Sequence, residues 1–147
     1  MDEDKIELAW RQFQEIMGYS DEQLAKFRSN PKFVKVLATR SSRTYKIIAE
    51  VIQSNGCVCR HSVGQRFVMN SNGALVSGEC PETMCLFLVS QFTAAVAAIY
   101  ERVIAGLDPN DLMFNTVSCT DVGVECGGWG RVLVKIRVED PGKSEAR

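Results

Sequence analysis

"TYKIIAEVIQS", residues 44 to 54, is where the hydrophobic period of the chain changes. Tyr45, Ile47, Ala49 and Val51 fall on alternate positions, the period of a strand with one buried face. Upstream the apolar residues recur at three and four. Ile6, Trp10, Phe13 and Met17 share one side of a helix, and Gly18 ends it. Ser20, with Gln23 three residues on, carries a capping-box pattern for a second helix whose Leu24 and Phe27 face inward. Asn30 and Pro31 restart the chain as a third, with Phe33, Val34 and Leu37. Residues 1–43 are thus predicted to form a three-helix arm and 44–139 a sheet-based domain. The polar residues from 140 to 147 are expected to fray.

Downstream of Ser54 the pattern stays strand-like. "QRFVMNSNGALVSG" (65–78) predicts a hairpin, Arg66 to Asn70 and Ala74 to Val76, around a Ser-Asn-Gly turn. Pro81 is a first-turn residue for a long helix from Glu82 to Ala105, ended by Gly106. From Met84 to Ile99 that helix is apolar nearly all round, which predicts burial on more than one side. "LMFNTVS" (112–118) and "RVLVKIRVE" (131–139) predict two further strands, and Asp108, Asn110 and Asp111 a turn around Pro109. The expected fold is α+β: a small mixed or antiparallel sheet with one long buried helix, preceded by the arm. Three short amphipathic helices bury their own faces poorly, so the arm is expected to pack on the body or to build a homo-oligomer.

At 147 residues the chain has the length of a single domain, and 46% apolar with 24% charged residues is ordinary for a globular one. Lys plus Arg number 17 against 18 Asp plus Glu, a net charge of -1, so no electrostatic footprint for nucleic acid or an anionic membrane is present. The stretch from Met84 to Ile99 is shorter than the roughly 20 apolar residues that span a bilayer. "MDEDKIELAW" is acidic where a secretory signal is basic and then apolar, which predicts a cytoplasmic protein with reduced thiols.

Chemistry-bearing residues gather in "GCVCRHSVGQ" (56–65), which holds Cys57, Cys59 and His61, the one histidine of the chain. None of the cysteine spacings is the Cys-x-x-Cys of a zinc ribbon or a thioredoxin. Placement carries the argument instead. Cys57 and His61 follow the first strand, Cys80 precedes the long helix, and Cys119 closes a strand. Cys85 falls inside an apolar helix and is read as core.

The pattern Cys57-x-x-x-His61-x-Val63-Gly64, then Gly78-x-Cys80-Pro81, then Cys119, resembles a family of small uncharacterised α+β proteins of anaerobic bacteria and archaea. The resemblance covers about 44 to 138. It implies a small α+β domain with no established activity, in which Cys57, His61, Cys80 and Cys119 are the recurrent polar positions. This chain departs from the pattern at Gln65, where the family usually carries an acid, and adds Cys59, Cys126 and "GGWGR".

Three readings of these residues stay open. Cys57, His61, Cys80 and Cys119 would satisfy a closed tetrahedral zinc site, or hold an iron–sulfur cluster with histidine as a replacement ligand. Such a protein would serve as a small subunit or partner of an enzyme. Alternatively the cysteines fill small gaps in a structural or assembly module. The third reading is a thiol enzyme: Cys80 at a helix N-terminus as the activated thiol, with His61 as its base. "ECGGWGR" (125–131) marks a tight connection with close backbone approach. There Trp129 either plugs the core or a subunit contact, or joins Arg131 in a ligand-binding loop. Asp121 and Glu125 read as solvated loop acids.

Overall fold

The structure is a computed structural model and describes residues 3–40 and 44–139; the tail predicted beyond them lies outside the described residues. The chain divides into two compact units, Met1–Arg43 and Thr44–Arg147.

The first unit contains α1 (Glu3–Met17), α2 (Asp21–Arg28) and α3 (Pro31–Arg40). Gly18 leaves α1 at φ +65°, the left-handed stop a side chain would disfavour. The capping box forms: Ser20 Oγ accepts the Gln23 N–H at 3.2 Å, and Gln23 Oε1 accepts the Ser20 N–H at 2.9 Å. Aromatic rings meet inside the unit, Phe27 lying 4.9 Å from Phe13, 6.0 Å from Trp10 and stacked at 4.3 Å on Phe33. The Arg28 guanidinium sits 5.2 Å from the Trp10 ring centre and pairs with Glu7, whose carboxyl it holds below the usual range. Ile16 and Val34 remain exposed.

The second unit is an antiparallel sheet of order β2-β1-β4-β3, built from β1 (Lys46–Asn55), β2 (Arg66–Met69), β3 (Thr116–Ser118) and β4 (Arg131–Glu139). This is the expected α+β class, with the sheet wholly antiparallel. Tyr45, Ile47, Ala49 and Val51 do share one face, together with Phe67, Met69 and alternate β4 residues Val132, Val134, Ile136 and Val138. On that face lies a helical run made of α4 (Leu86–Val89), a 3-10 turn (Ser90–Phe92) and α5 (Thr93–Ala105). Its Leu88, Phe92, Ala95, Ile99 and Val103, spaced at three and four, complete the core. Burial of each of the larger of these side chains, Leu88, Phe92, Ile99 and Val103, contributes about 1.5–3 kcal/mol. The opposite face carries Glu50, Arg66, Arg137 and Glu139 as a ladder of ion pairs. Asn110, in the predicted Asp108–Asp111 turn, pairs its side-chain amide with both backbone groups of Val138.

Four details differ from expectation. First, the long helix starts at Leu86, not Glu82. Cys85 has extended backbone angles and is the residue before the helix, because its N–H is drawn toward His61. The preceding turn is a short 3-10 segment, Ser77–Glu79, after which Cys80 is extended as well. Second, the helix is buried along one stripe only: Leu86 and Phe87 are exposed at 75% and 67%. By length and composition this run, of 20 residues and mean hydropathy 1.3, is apolar enough to cross a membrane; its buried stripe is packed on the sheet. Third, the predicted strand from Leu112 shrinks to Thr116–Ser118, since Met113 and Phe114 are exposed and β3 has a neighbour on one side only. Fourth, Ala74 to Val76 returns as a single bridge, Met69 to Leu75, after a turn in which Asn70 Oδ1 accepts the Asn72 and Ala74 N–H groups.

Candidate functional site: a thiol-lined recess

The recess forms where three connections meet at one end of the sheet. β1 carries a register shift between Val51 and Gln53, a bulge that bends the strand as it leaves the sheet. Gly56 follows at φ +64°, then a turn in which the Cys57 carbonyl accepts the Arg60 N–H at 3.0 Å. The chain folds back so that Val51 exchanges backbone hydrogen bonds with Gly64 and Gln65, which turns His61 inward.

His61 is the buried polar side chain of this unit among the described residues, 4% exposed. Its Nδ1 lies 3.2 Å from Gln65 Oε1 and its Nε2 3.4 Å from the Cys85 N–H nitrogen, with the ring edge-on to Phe67 at 5.3 Å. With Nε2 accepting, the ring proton belongs on Nδ1, donated to Gln65. Both nitrogens are therefore engaged in holding Cys85 and the loop. That arrangement differs from the predicted Cys80–His61 nucleophile and base, because His61 turns toward Cys85.

The second wall comes from "ECGGWGR". A Cβ on Gly130 would overlap the Gly56 carbonyl, and one on Gly56 would stand 2.9 Å from the Trp129 carbonyl oxygen. Two backbones cross here at a distance only glycine permits. The N–H groups these glycines leave open are met from within the chain. Asp121 Oδ1 accepts from Gly123 and Trp129 at 3.0 Å each, and Oδ2 accepts from Gly130 at 3.1 Å. The Gly123 and Gly130 N–H groups hold the Asp121 carboxyl below its usual range, Trp129 and Val122 adding to them against some burial. Asp121 is thus the anion of the glycine turn rather than a solvated loop acid. Trp129 does not plug the core: it is 77% exposed and stands over the recess.

Between these walls lies a recess of about 230 Å³, bordered by Cys57, Cys59, His61, Cys85 and Cys119 and by the apolar groups of Val58, Phe87, Leu88, Trp129 and Val132. Cys59 and Cys85 border the recess together. The neighbouring Cys85, then burial, then the charges that Cys85 and Cys57 would carry, raise Cys59 above the ordinary thiol value. Arg131 also borders the recess, at the start of β4 and one register position from the inward Val132.

The predicted ligand residues are placed as follows. Cys57, His61 and Cys119 border one recess, as do Trp129 and Arg131. Cys80 lies apart from it: its Sγ accepts the Val68 N–H at 3.3 Å and donates to the Val68 carbonyl at 3.4 Å. Cys119 Sγ likewise accepts the Val132 N–H at 3.2 Å. Among the described residues, no group of three or more His, Cys, Asp or Glu is arranged to hold a metal ion. Two residues of the recess escaped the reading of the sequence. Cys85 falls inside the helix that the sequence predicts to begin at Glu82, four residues before its actual start, and Cys59 has no partner as long as Cys85 belongs to that helix. The available signal was the run "PETMC" (81–85), whose apolar period begins only at Leu86.

The chain matches no family model, no curated protein and no solved structure.

Proposed function

We propose that the recess captures a soft, thiophilic metal ion, copper(I) being the prototype, between the sulfurs of Cys59 and Cys85. The observation that carries this reading is the pairing of those two thiols, from separate connections, inside one recess walled by apolar groups. Thiolate sulfur selects soft ions, and a d10 monovalent ion accepts two sulfurs without demanding a third or fourth ligand. Capture exchanges two thiol protons for one ion and leaves a bis-thiolate carrying one negative charge, so uptake releases protons. Cys57 borders the pair, and His61 acts from behind by fixing the Cys85 backbone. This ligand set replaces Cys57, His61, Cys80 and Cys119, since Cys80 is engaged with Val68.

The test is an oxygen-free titration of the reduced full chain with copper(I) held in a competing chelator. One equivalent is expected to bind with a thiolate-to-copper ultraviolet band. Cys59→Ser and Cys85→Ser each lose it, and Cys80→Ser keeps it. Fully reduced protein that takes up no copper, or a Cys59→Ser variant that binds like the parent, overturns the reading.

A further inference from the structure

The same pair of sulfurs points to a reaction that needs no metal. We propose that Cys59 and Cys85 cycle between dithiol and disulfide, making the recess a thiol–disulfide exchange site for small uncharged disulfides. This inference shares its residues with the copper reading but does not rest on it.

The cysteines differ in what their sulfurs do. Cys80 and Cys119 give theirs to strand backbone, and Cys126 is exposed on the outer connection. Cys59 and Cys85 instead border the recess together, from two separate connections. Cys85 is fixed: its N–H turns to His61 and its carbonyl accepts the Leu88 and Val89 N–H groups that open the helix. Cys59 sits on the turn between exposed Val58 and exposed Arg60, where an incoming molecule arrives first. The one acid at the recess, Asp121, is closed off by backbone N–H groups; Arg131 stands exposed at the border as the one cation there among the described residues, and the rest of the rim is Val58, Phe87 and Trp129. A wall of that kind favours a disulfide with neutral, partly apolar substituents over a multiply charged one.

The chemistry balances as follows. The Cys59 thiolate attacks one sulfur of R–S–S–R, forming Cys59–S–S–R and expelling RS⁻, which takes up a proton equivalent to the one Cys59 released. Cys85, deprotonated in turn, attacks the Cys59 sulfur; the second RS⁻ leaves and is protonated. Two protein thiols are oxidised to one disulfide and one small disulfide is reduced to two thiols.

The experiment treats reduced full-length protein, with a chelator present, with 2-hydroxyethyl disulfide and in parallel with glutathione disulfide, and maps the products by mass. The expected product has lost two hydrogens, carries no adduct, and links the Cys59 peptide to the Cys85 peptide, forming faster with the neutral reagent. Cys85→Ser stops at a stable adduct on Cys59, and Cys59→Ser loses the fast phase. Two results overturn the proposal: an adduct on Cys126 alone with Cys59 and Cys85 still reduced, or the same adduct-free loss of two hydrogens appearing unchanged in Cys85→Ser. Mapping on the parent protein decides the matter even where a variant fails to fold. Because no metal is present, a negative copper titration leaves this result untouched.

Discussion

The two ends of β2 and β3 treat cysteine differently from the recess beside them. Cys80 closes an outer edge of the sheet by giving one sulfur to both backbone groups of Val68, and Cys119 extends the β3–β4 ladder by accepting the Val132 N–H. In these places a thiol completes a hydrogen-bond pattern that the strand next to it lacks. Cys59 and Cys85 complete no ladder; both border the recess, where Cys85 is the main influence on the Cys59 thiol. The difference teaches that position at the end of an element does not make a cysteine a ligand. What matters is whether the nearby backbone has already taken the sulfur.

The sharpest way to break this contrast is to spoil the crossing that makes the recess. Gly130→Ala forces a Cβ into the Gly56 carbonyl. Unfolding in urea is expected to show a loss of about 3 kcal/mol, at the upper end of ordinary single substitutions, and the copper site is lost with it. A Gly130→Ala protein as stable as the parent would mean that the two connections do not cross as described.

Next comes the contrast itself. Cys80→Ala removes the partner of the Val68 N–H, while the Val68 carbonyl keeps the Val76 N–H at 2.8 Å, and is expected to cost about 1–3 kcal/mol. Cys59→Ala breaks no backbone bond and should stay within about 0.5 kcal/mol. Equal losses in denaturant titrations would erase the distinction between the strand-bound sulfurs and those bordering the recess.

His61→Ala tests how far the recess depends on its support. The ring holds the Cys85 backbone, so copper affinity in the competition titration should fall by about 10–100-fold, the usual effect of losing an outer-shell partner. Affinity unchanged in a folded His61→Ala protein would detach the histidine from the site.

These expectations divide the molecule in the same way that its sequence does. The β1 face, the Ser20–Gln23 box, the Gly18 and Gly106 stops and the boundaries of β4 follow from neighbours within a few residues, and local periodicity reveals them. The start of the long helix is not legible locally, because Pro81 favours a first turn while His61, twenty-four residues from Cys85, decides otherwise. The role of Asp121 was hidden for a similar reason: its partners at Trp129 and Gly130 lie eight and nine residues ahead. Cys80 carries no mark of its attachment to Val68, since a backbone partner leaves no trace in side-chain pattern. The glycines of "GGWGR" were legible as a close approach, but not which chain they approach.

The opposite face of the sheet supplies the smallest effect and a control. Arg137 and then Arg66 hold the Glu50 carboxyl below its usual range. A carboxylate with a lowered folded value contributes stability above its unfolded value and loses it as pH falls through the folded one. The ladder is partly exposed, so Glu50→Gln should cost no more than about 1 kcal/mol at neutral pH. That difference should shrink toward zero in melts taken below the carboxylate range, while copper uptake and disulfide exchange at neutral pH stay at parental levels. The core of alternate β1 and β4 residues separates this face from the recess. A Glu50→Gln protein with altered uptake would therefore show that the two faces of the sheet are coupled through its strands, and the recess would have to be treated as part of the sheet rather than as a product of the connections at its end.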